Sequence, residues 1–340
     1  MSLTTSHVHL DAPRQQALVD VLEQLPASLW VDGVVEGELW DRALLDPARD
    51  ILSRNGKGVR GRMVEHGWVL AGGLPGTLPD ALPITLELLH VGSLVVDDIQ
   101  DDSSTRRGEP AVHRRYGMPV ALNMANWLYF LAVGLVSRVD VEPVRRLALL
   151  QDVNEGLLRC HQGQALDLSV RVSTVARTSV ADVVSTSTSL KTGSLMGLAT
   201  TMGARAAGAV GDRLASIEAF GVELGIALQM LDDWSSIAVP RRREKGAEDL
   251  IFQRPTWPWA WAAELGTGFD DLVVALQSAD SAEDLDEVAS TLVEALRDRA
   301  PAHIDRHFER VVSRLQTIDA DESARSAVMA EVTALRSAFS

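Results

Sequence analysis

Two segments constrain this 340-residue chain more than any other feature. Residues 84–97 and 220–231 are apolar on nearly every side when wound as helices, and adjacent aspartates close each one. The first reads LELLHVGSLVVDDIQDD over 86–102 and the second FGVELGIALQMLDDWSS over 220–236. A helix that is apolar all round has no face to offer water, so other helices must enclose it. The chain therefore needs a large helical bundle with at least two buried central members.

The rest of the sequence supplies the surrounding helices. Helical spacing is legible at 13–25, 36–53, 60–72, 83–102, 119–137, 141–168, 178–204 and 210–237, and four or so shorter amphipathic segments run on to 339. The Gly/Pro-dense stretch 71–83, the turn SSTRRGEP (103–110) and the run 239–258 break the pattern and read as loops. No repeat at solenoid period and no alternating β pattern of useful length is present. The expectation is an all-α single domain over 1–340. A hydrophobic share of 46% is enough to fill its core.

Composition also excludes some functions. One cysteine, Cys160, in an apolar helical stretch, rules out a disulfide framework and a Cys-based zinc site. The N-terminal residues show no basic region followed by an apolar run. No stretch reads as approaching the roughly 18 apolar residues of a span. The location expected is cytoplasmic. A net charge of −15 argues against nucleic acid. It would also repel a phosphorylated substrate, unless cations gather where that substrate sits. Arginine carries nearly all the positive charge, and lysine occurs only at Lys57, Lys191 and Lys245. Those three are candidates for work that needs a compact point charge on a flexible stem.

Asp97 and Asp101 are one helical turn apart on one face, with Asp98 about 100° round. Carboxylates so placed repel each other and call for a counter-ion. Hard oxygen donors suit Mg²⁺, which is held by one or two carboxylates together with substrate phosphates. Asp232 and Asp233 repeat the arrangement on the second apolar segment.

With these motifs in order, the chain resembles the trans (E-type) polyprenyl diphosphate synthases from about residue 50 to 260. The resemblance implies the isoprenoid (terpenoid) synthase fold, a helical bundle around a central cavity. It also implies about three Mg²⁺ ions and a homodimer. Asn55-Gly56-Lys57-Gly58-Val59-Arg60 is similar to the family's G-G-K-x-x-R, so Lys57 and Arg60 are expected to grip the diphosphate of isopentenyl diphosphate. Glu87-Leu88-Leu89-His90 resembles E-x-x-H, with His90 reaching the same group. DDIQD (97–101) stands as the first aspartate motif, its metal ligands being Asp97, Asp98 and Asp101. Arg106 is then expected on the allylic diphosphate and Arg107 on the isopentenyl one. Gly163-Gln164-Ala165-Leu166-Asp167 resembles G-Q-x-L-D, placing Gln164 and Asp167 near metal and allylic diphosphate. Lys191 and Thr192 match the pair that contacts the leaving group and lines the carbocation. Gln229 with Asp232 and Asp233 resembles the second aspartate motif. Lys245, Asp249 and Arg254 keep the spacing of K-x-x-x-D-x-x-x-x-K. All three lysines thus fall on substrate positions.

The implied reaction is condensation of isopentenyl diphosphate with an allylic prenyl diphosphate to an all-trans product. Gly92 and Ser93, four and five positions before DDIQD, are small, which favours C20 over C15, with Trp127 or Tyr129 as a lower floor. Four departures stand out: Ser236 at the third aspartate of the second motif, Ala125-Asn126 for Gly-Asp, Asn55 for Gly and Arg254 for Lys. Ser236 and Arg254 leave room for a class I terpene synthase or a prenyltransferase to another acceptor; the intact Lys57, Arg60, His90 and Arg107 speak against it. A non-catalytic subunit of a heteromeric synthase is the third reading, opposed by the intact DDIQD.

Overall fold

The computed structural model describes residues 12–23 and 37–338, apart from the side chains of 12–14, 241, 244 and 245. Its helices are α1 (Ala12–Glu23), α2 (Gly37–Trp40), α3 (Asp46–Ser53), α4 (Val59–Leu70), α5 (Ala81–Gln100), α6 (Val112–Tyr116), α7 (Met118–Val136), α8 (Pro143–Ser169) and α9 (Arg177–Thr188). They continue as α10 (Ser194–Ala207), α11 (Gly211–Ala238), α12 (Arg243–Ile251), α13 (Trp257–Leu265), α14 (Phe269–Ser278), α15 (Ala282–Leu296), α16 (Arg299–Thr317) and α17 (Glu322–Ser337). Five-residue π-helical segments at Asp41–Leu45 and Ser189–Gly193 join α2 to α3 and α9 to α10. The all-α expectation holds, with one small exception. Strands β1 (Thr105–Arg106) and β2 (Glu109–Pro110) form an antiparallel hairpin inside the segment read as a turn.

The described residues divide into two compact units, one made of those up to Glu65 with Leu74–Leu150 and the other of His66–Gly73 with those from Gln151 onward. In the first, α5 packs along α7, as the apolar run of 84–97 requires. Leu82, Leu86, Leu88, Leu89, Val91 and Val95 of α5 are buried, as are Met124, Ala125, Leu128 and Ala132 of α7. Each such leucine is worth roughly 1.5–3 kcal/mol in apolar area removed from water. In the second unit α11 is the central helix, packed by α10, α16, α12 and α15. Its buried Ile217, Phe220, Leu224 and Leu228 explain why 220–231 lacks a polar side.

Two expectations need correction. The run 239–258 is not a loop: a 3-10 turn at Pro240–Arg242 leads into α12, and Trp257 opens α13. Within REKGAEDLI, Glu, Lys and Ala favour helix, and the neighbouring prolines and arginines obscure that. Helices α7 and α11 are each long and apolar enough to cross a membrane by length and composition, contrary to the reading that no stretch comes near. Glycine and polar residues spread through both dilute the apolar run in the sequence. In the fold part of each surface is covered, α7 by α5 and α11 by α10 and α16.

Candidate active site

The first unit gathers cations beside the first acidic motif. Asp98 is fully buried near the end of α5, and its Oδ1 accepts from Arg106 Nε at 2.8 Å and from Arg106 Nη2. Its Oδ2 is buried with no hydrogen-bond partner. Burial raises the Asp98 pKa, while the bond to Arg106, its charge and that of His113 oppose the rise. Asp97 and Asp101 on the same turn are half-buried. Three carboxylates at a helix C-terminus also face the negative end of its dipole, so a cation is favoured there. His113, buried in α6, has no hydrogen-bond partner on either ring nitrogen.

Arg106 ends β1, and the next two residues make the hairpin turn. Arg107 and Gly108 have φ of 54° and 81°, as a type I′ turn demands. Glycine and asparagine suit that conformation; arginine there is strained by roughly 1 kcal/mol and marks a position held by its surroundings. Glu87 of α5 is buried, and its Oε1 accepts from Gly61 N at 2.8 Å, fixing the first turn of α4. That anchors Arg60, whose Nη1 lies 3.0 Å from His90 Nε2. Burial first, then the charges of Arg60, Arg107 and Arg106, push the His90 pKa well down. The imidazole is therefore neutral, Nε2 accepts from the guanidinium, and the ring proton sits on Nδ1. Burial also lowers the Arg107 pKa, with Glu87 opposing. Lys57 lies exposed on the preceding loop, its carbonyl accepting from Arg62 Nη1 at 2.6 Å. Lys57, Arg60, His90, Arg106 and Arg107 thus belong to one unit.

In the second unit the π-helical segment Ser189–Gly193 carries Lys191 and Thr192. Such bulges cost regular hydrogen bonding and occur mostly where side chains must be re-aimed. Two glycines make room for it. A Cβ on Gly163 of α8 would lie 2.6 Å from Lys191 N, and one on Gly225 of α11 would lie 2.8 Å from Thr192 O. Lys191 Nζ pairs with Asp167 Oδ2 at 2.9 Å. Thr192 Oγ1 donates to Gln229 Oε1 at 2.9 Å, Gln229 Nε2 to Asp233 Oδ1 at 2.7 Å, and Trp257 N to Asp233 Oδ2 at 3.0 Å. Both oxygens of Asp233 are engaged by protein donors. Burial pushes its pKa up to about 7, with Asp249 and Asp232 adding to the rise and Trp257 and Gln229 opposing it.

Asp232 is half-buried and pairs with Arg242 Nη2 at 2.6 Å. Ser236 is buried, its Oγ donating to Asp233 O at 2.7 Å, so the missing third aspartate is replaced by a helix-internal bond. Arg254 is buried, 3.4 Å from Asp249 and over the Phe252 ring. Gln164 is half-buried on α8. Lys245 lies in α12, its side chain outside the described residues.

Among the described residues no three His, Cys, Asp or Glu side chains group closely enough to hold a metal. Mg²⁺ does not need such a cage, since substrate phosphates complete its octahedron. Hard carboxylates on one helical turn, with Asp97 and Asp101 half-exposed at its end, fit that mode. Sequence reasoning missed Arg54, His113, Arg242 and Trp257. Only Arg54 left a signal, an i,i+4 pairing with Asp50.

Guanidinium groups beside a carboxylate-bearing helix end are the chemistry of a helical protein suited to hold an anion together with a metal ion. Residues 41–293 match the Polyprenyl synthetase family, well over half of the chain, and the protein belongs to that family of prenyl-transferring enzymes. It is 28% identical over 323 residues to the geranylgeranyl pyrophosphate synthase dpasD of Apiospora sacchari, covering 91% of this chain and 92% of that one. The heptaprenyl diphosphate synthase of Staphylococcus aureus shares the fold with a TM-score of 0.78 at 17% identity, over 96% of both chains. A polyprenyl synthase from Caulobacter crescentus CB15, solved with calcium and isoprenyl diphosphate, does so with a TM-score of 0.72 at 18% identity, over 96% of this chain and 92% of that one.

Proposed function

We propose that this prenyl diphosphate synthase condenses isopentenyl diphosphate with an allylic prenyl diphosphate in a Mg²⁺-dependent reaction, with C20 as its product. The observation that carries the reading is the Arg60–His90–Arg106–Arg107 group, close beside Asp98 in a chain of net charge −15. Neighbouring guanidinium groups repel one another, and an anionic substrate would relieve that repulsion. The Caulobacter relative's isoprenyl diphosphate and calcium support both the substrate class and the divalent ion.

In this reading Asp97, Asp101 and Asp232 would hold Mg²⁺ with the substrate phosphates, which supplies charge neutralisation at the leaving diphosphate. Asp98 orients Arg106 on the allylic diphosphate, and Asp233 orients Gln229. Lys57, Arg60 and Arg107 bind isopentenyl diphosphate, with the Nδ1–H of His90 as a further donor. The allylic C–O bond breaks and its electron pair leaves with the diphosphate. The isopentenyl double bond attacks the allylic cation, and a proton from the new tertiary centre's neighbour passes to the released diphosphate. Lys191 steadies the departing charge, while the Thr192 hydroxyl and the Gln229 amide oxygen face the developing cation. Gln164, Asp167, Lys245, Asp249 and Arg254 complete the substrate groups and keep water out.

Product length depends on α5 and α7. A Cβ on Gly92 would lie 3.1 Å from Tyr129 Cε1 and from Ala125 O, so the neighbouring helix occupies the room that Gly92 leaves. This supports Tyr129 as the floor. A homodimer is part of the proposal: Met118, Leu122 and Phe130 are large apolar residues exposed on α7.

The test is incubation with Mg²⁺, isopentenyl diphosphate and each allylic diphosphate in turn, with products identified by mass. Elongated diphosphates are expected, ending at C20, and Tyr129→Ala is expected to lengthen them. Hydrocarbons or alcohols from an allylic diphosphate alone would replace this reading with that of a terpene synthase.

A further inference from the structure

Arg54 is 6% exposed, at the junction between α3 and the loop that carries Lys57. A buried guanidinium is tolerated only when its donors are matched. Here they are. Nε and Nη2 grip Asp50 Oδ1 and Oδ2 at 3.2 and 2.9 Å, and Nη1 donates to Arg106 O at 3.1 Å. The carbonyl of Arg54 in turn accepts from Arg107 Nη1 at 3.0 Å and from Gln15 Nε2 at 2.6 Å. Both arginines of the hairpin therefore answer to this one residue, Arg106 through its main chain and Arg107 through its side chain.

The clamp continues on the second strand. Asp50 Oδ1 also accepts from Arg115 Nη1 at 3.0 Å, and Arg115 Nη2 reaches Glu109 of β2 at 2.9 Å. The Arg107 guanidinium lies directly over the loop backbone, where a Cβ on Gly56 would come within 2.9 Å of its Nη2. Arg107 holds φ of 54°, a conformation that costs energy unless the surroundings impose it. Its guanidinium is bonded to the main-chain carbonyl of Arg54, and the Arg54 side chain holds the carbonyl of the preceding Arg106, so Arg107 is fixed from both sides.

We propose that Arg54 is a positioning residue that sets Arg107 against the Gly56–Lys57 loop and so determines affinity for the diphosphate of the isopentenyl substrate; this rests on the function proposed above. The planar fork is essential. It reaches a carboxylate and a carbonyl at once, and the single ammonium of lysine cannot.

Arg54→Lys keeps the charge opposite Asp50 and gives up the bond to Arg106 O. Its KM for isopentenyl diphosphate is expected to rise tenfold or more. The KM for the allylic diphosphate should change less than threefold and kcat less than fivefold, because the Arg106 side chain stays held by Asp98, with unchanged circular dichroism. Combined with Arg107→Ala, Arg54→Lys should raise the isopentenyl KM by less than twofold beyond Arg107→Ala alone. A merely structural role would make the two effects multiply. An unchanged isopentenyl KM in folded Arg54→Lys, or multiplying effects, overturns the inference. Calorimetry of wild type with isopentenyl diphosphate separates the two levels. Failure of wild type to bind it removes the proposed function and this inference with it, whereas wild-type binding with undiminished affinity in Arg54→Lys removes only the role of Arg54.

Discussion

The two acidic motifs each divide their labour by burial. Asp98 and Asp233 are buried and engaged by protein donors, whereas Asp97, Asp101 and Asp232 are half-exposed. Different substitution phenotypes follow. Asp97→Ala and Asp101→Ala are expected to cut turnover at least a thousandfold with a melting temperature within about 2 °C of wild type. Asp98→Ala is expected to lose both, because it strands Arg106 beside a buried void, at a cost of about 1–3 kcal/mol. Turnover assays paired with thermal melts decide between these patterns. Glu223 is a second residue with a legible electrostatic effect. The hydrogen bond from His307, then its charge and those of Arg310 and Arg314, hold the Glu223 pKa at about 2 against an ordinary 4.5. The carboxylate contributes stability above its unfolded pKa and loses it as pH falls from about 4.5 towards 2. Allowing for solvent around the arginines, that is on the order of 1–2 kcal/mol. Denaturant titrations should show wild type losing more stability than Glu223→Gln across that window; parallel losses would refute the assignment.

At the scale of elements, the helix positions were largely readable because burial imposes a 3.6-residue period. The segment expected at 178–204 is present as α9, the π-helical segment and α10, but nothing in its local pattern betrays the bulge. The bulge exists because α8 and α11 approach through Gly163 and Gly225, which are distant in sequence. Gly163→Val is accordingly expected to displace Lys191 and Thr192 and to lower turnover a hundredfold or more. The overpacking should cost about 1–3 kcal/mol in a denaturant titration. An active, fully stable Gly163→Val would mean that the close approach is dispensable. The hairpin at 105–110 escaped notice for another reason. Two-residue strands carry no alternation, and an arginine at positive φ runs against turn preference.

For the molecule as a whole, the exposed apolar residues of α7 are the feature most in need of a partner. Phe130 is 75% exposed, and Leu122 and Met118 are exposed on the same helix. Burying such side chains in a second copy contributes roughly 1.5–3 kcal/mol each. Light scattering is expected to give the mass of two chains, and Leu122→Glu with Phe130→Glu the mass of one. A monomeric wild type would refute the homodimer.

Sequence alone determined the all-α class, the burial of the α5 and α11 segments and the spacing of the acidic motifs. These follow from local chemistry: apolar periodicity, carboxylate spacing and ordered short motifs all lie within a few turns of chain. Tertiary structure decided which aspartate of each pair is buried, which helix fills the space at Gly92, and how Arg54 fastens Arg107. Those outcomes depend on groups brought together from far along the chain, such as Trp257 on Asp233 or Arg106 on Arg54. Their geometry exists only once burial has removed water as the competing partner.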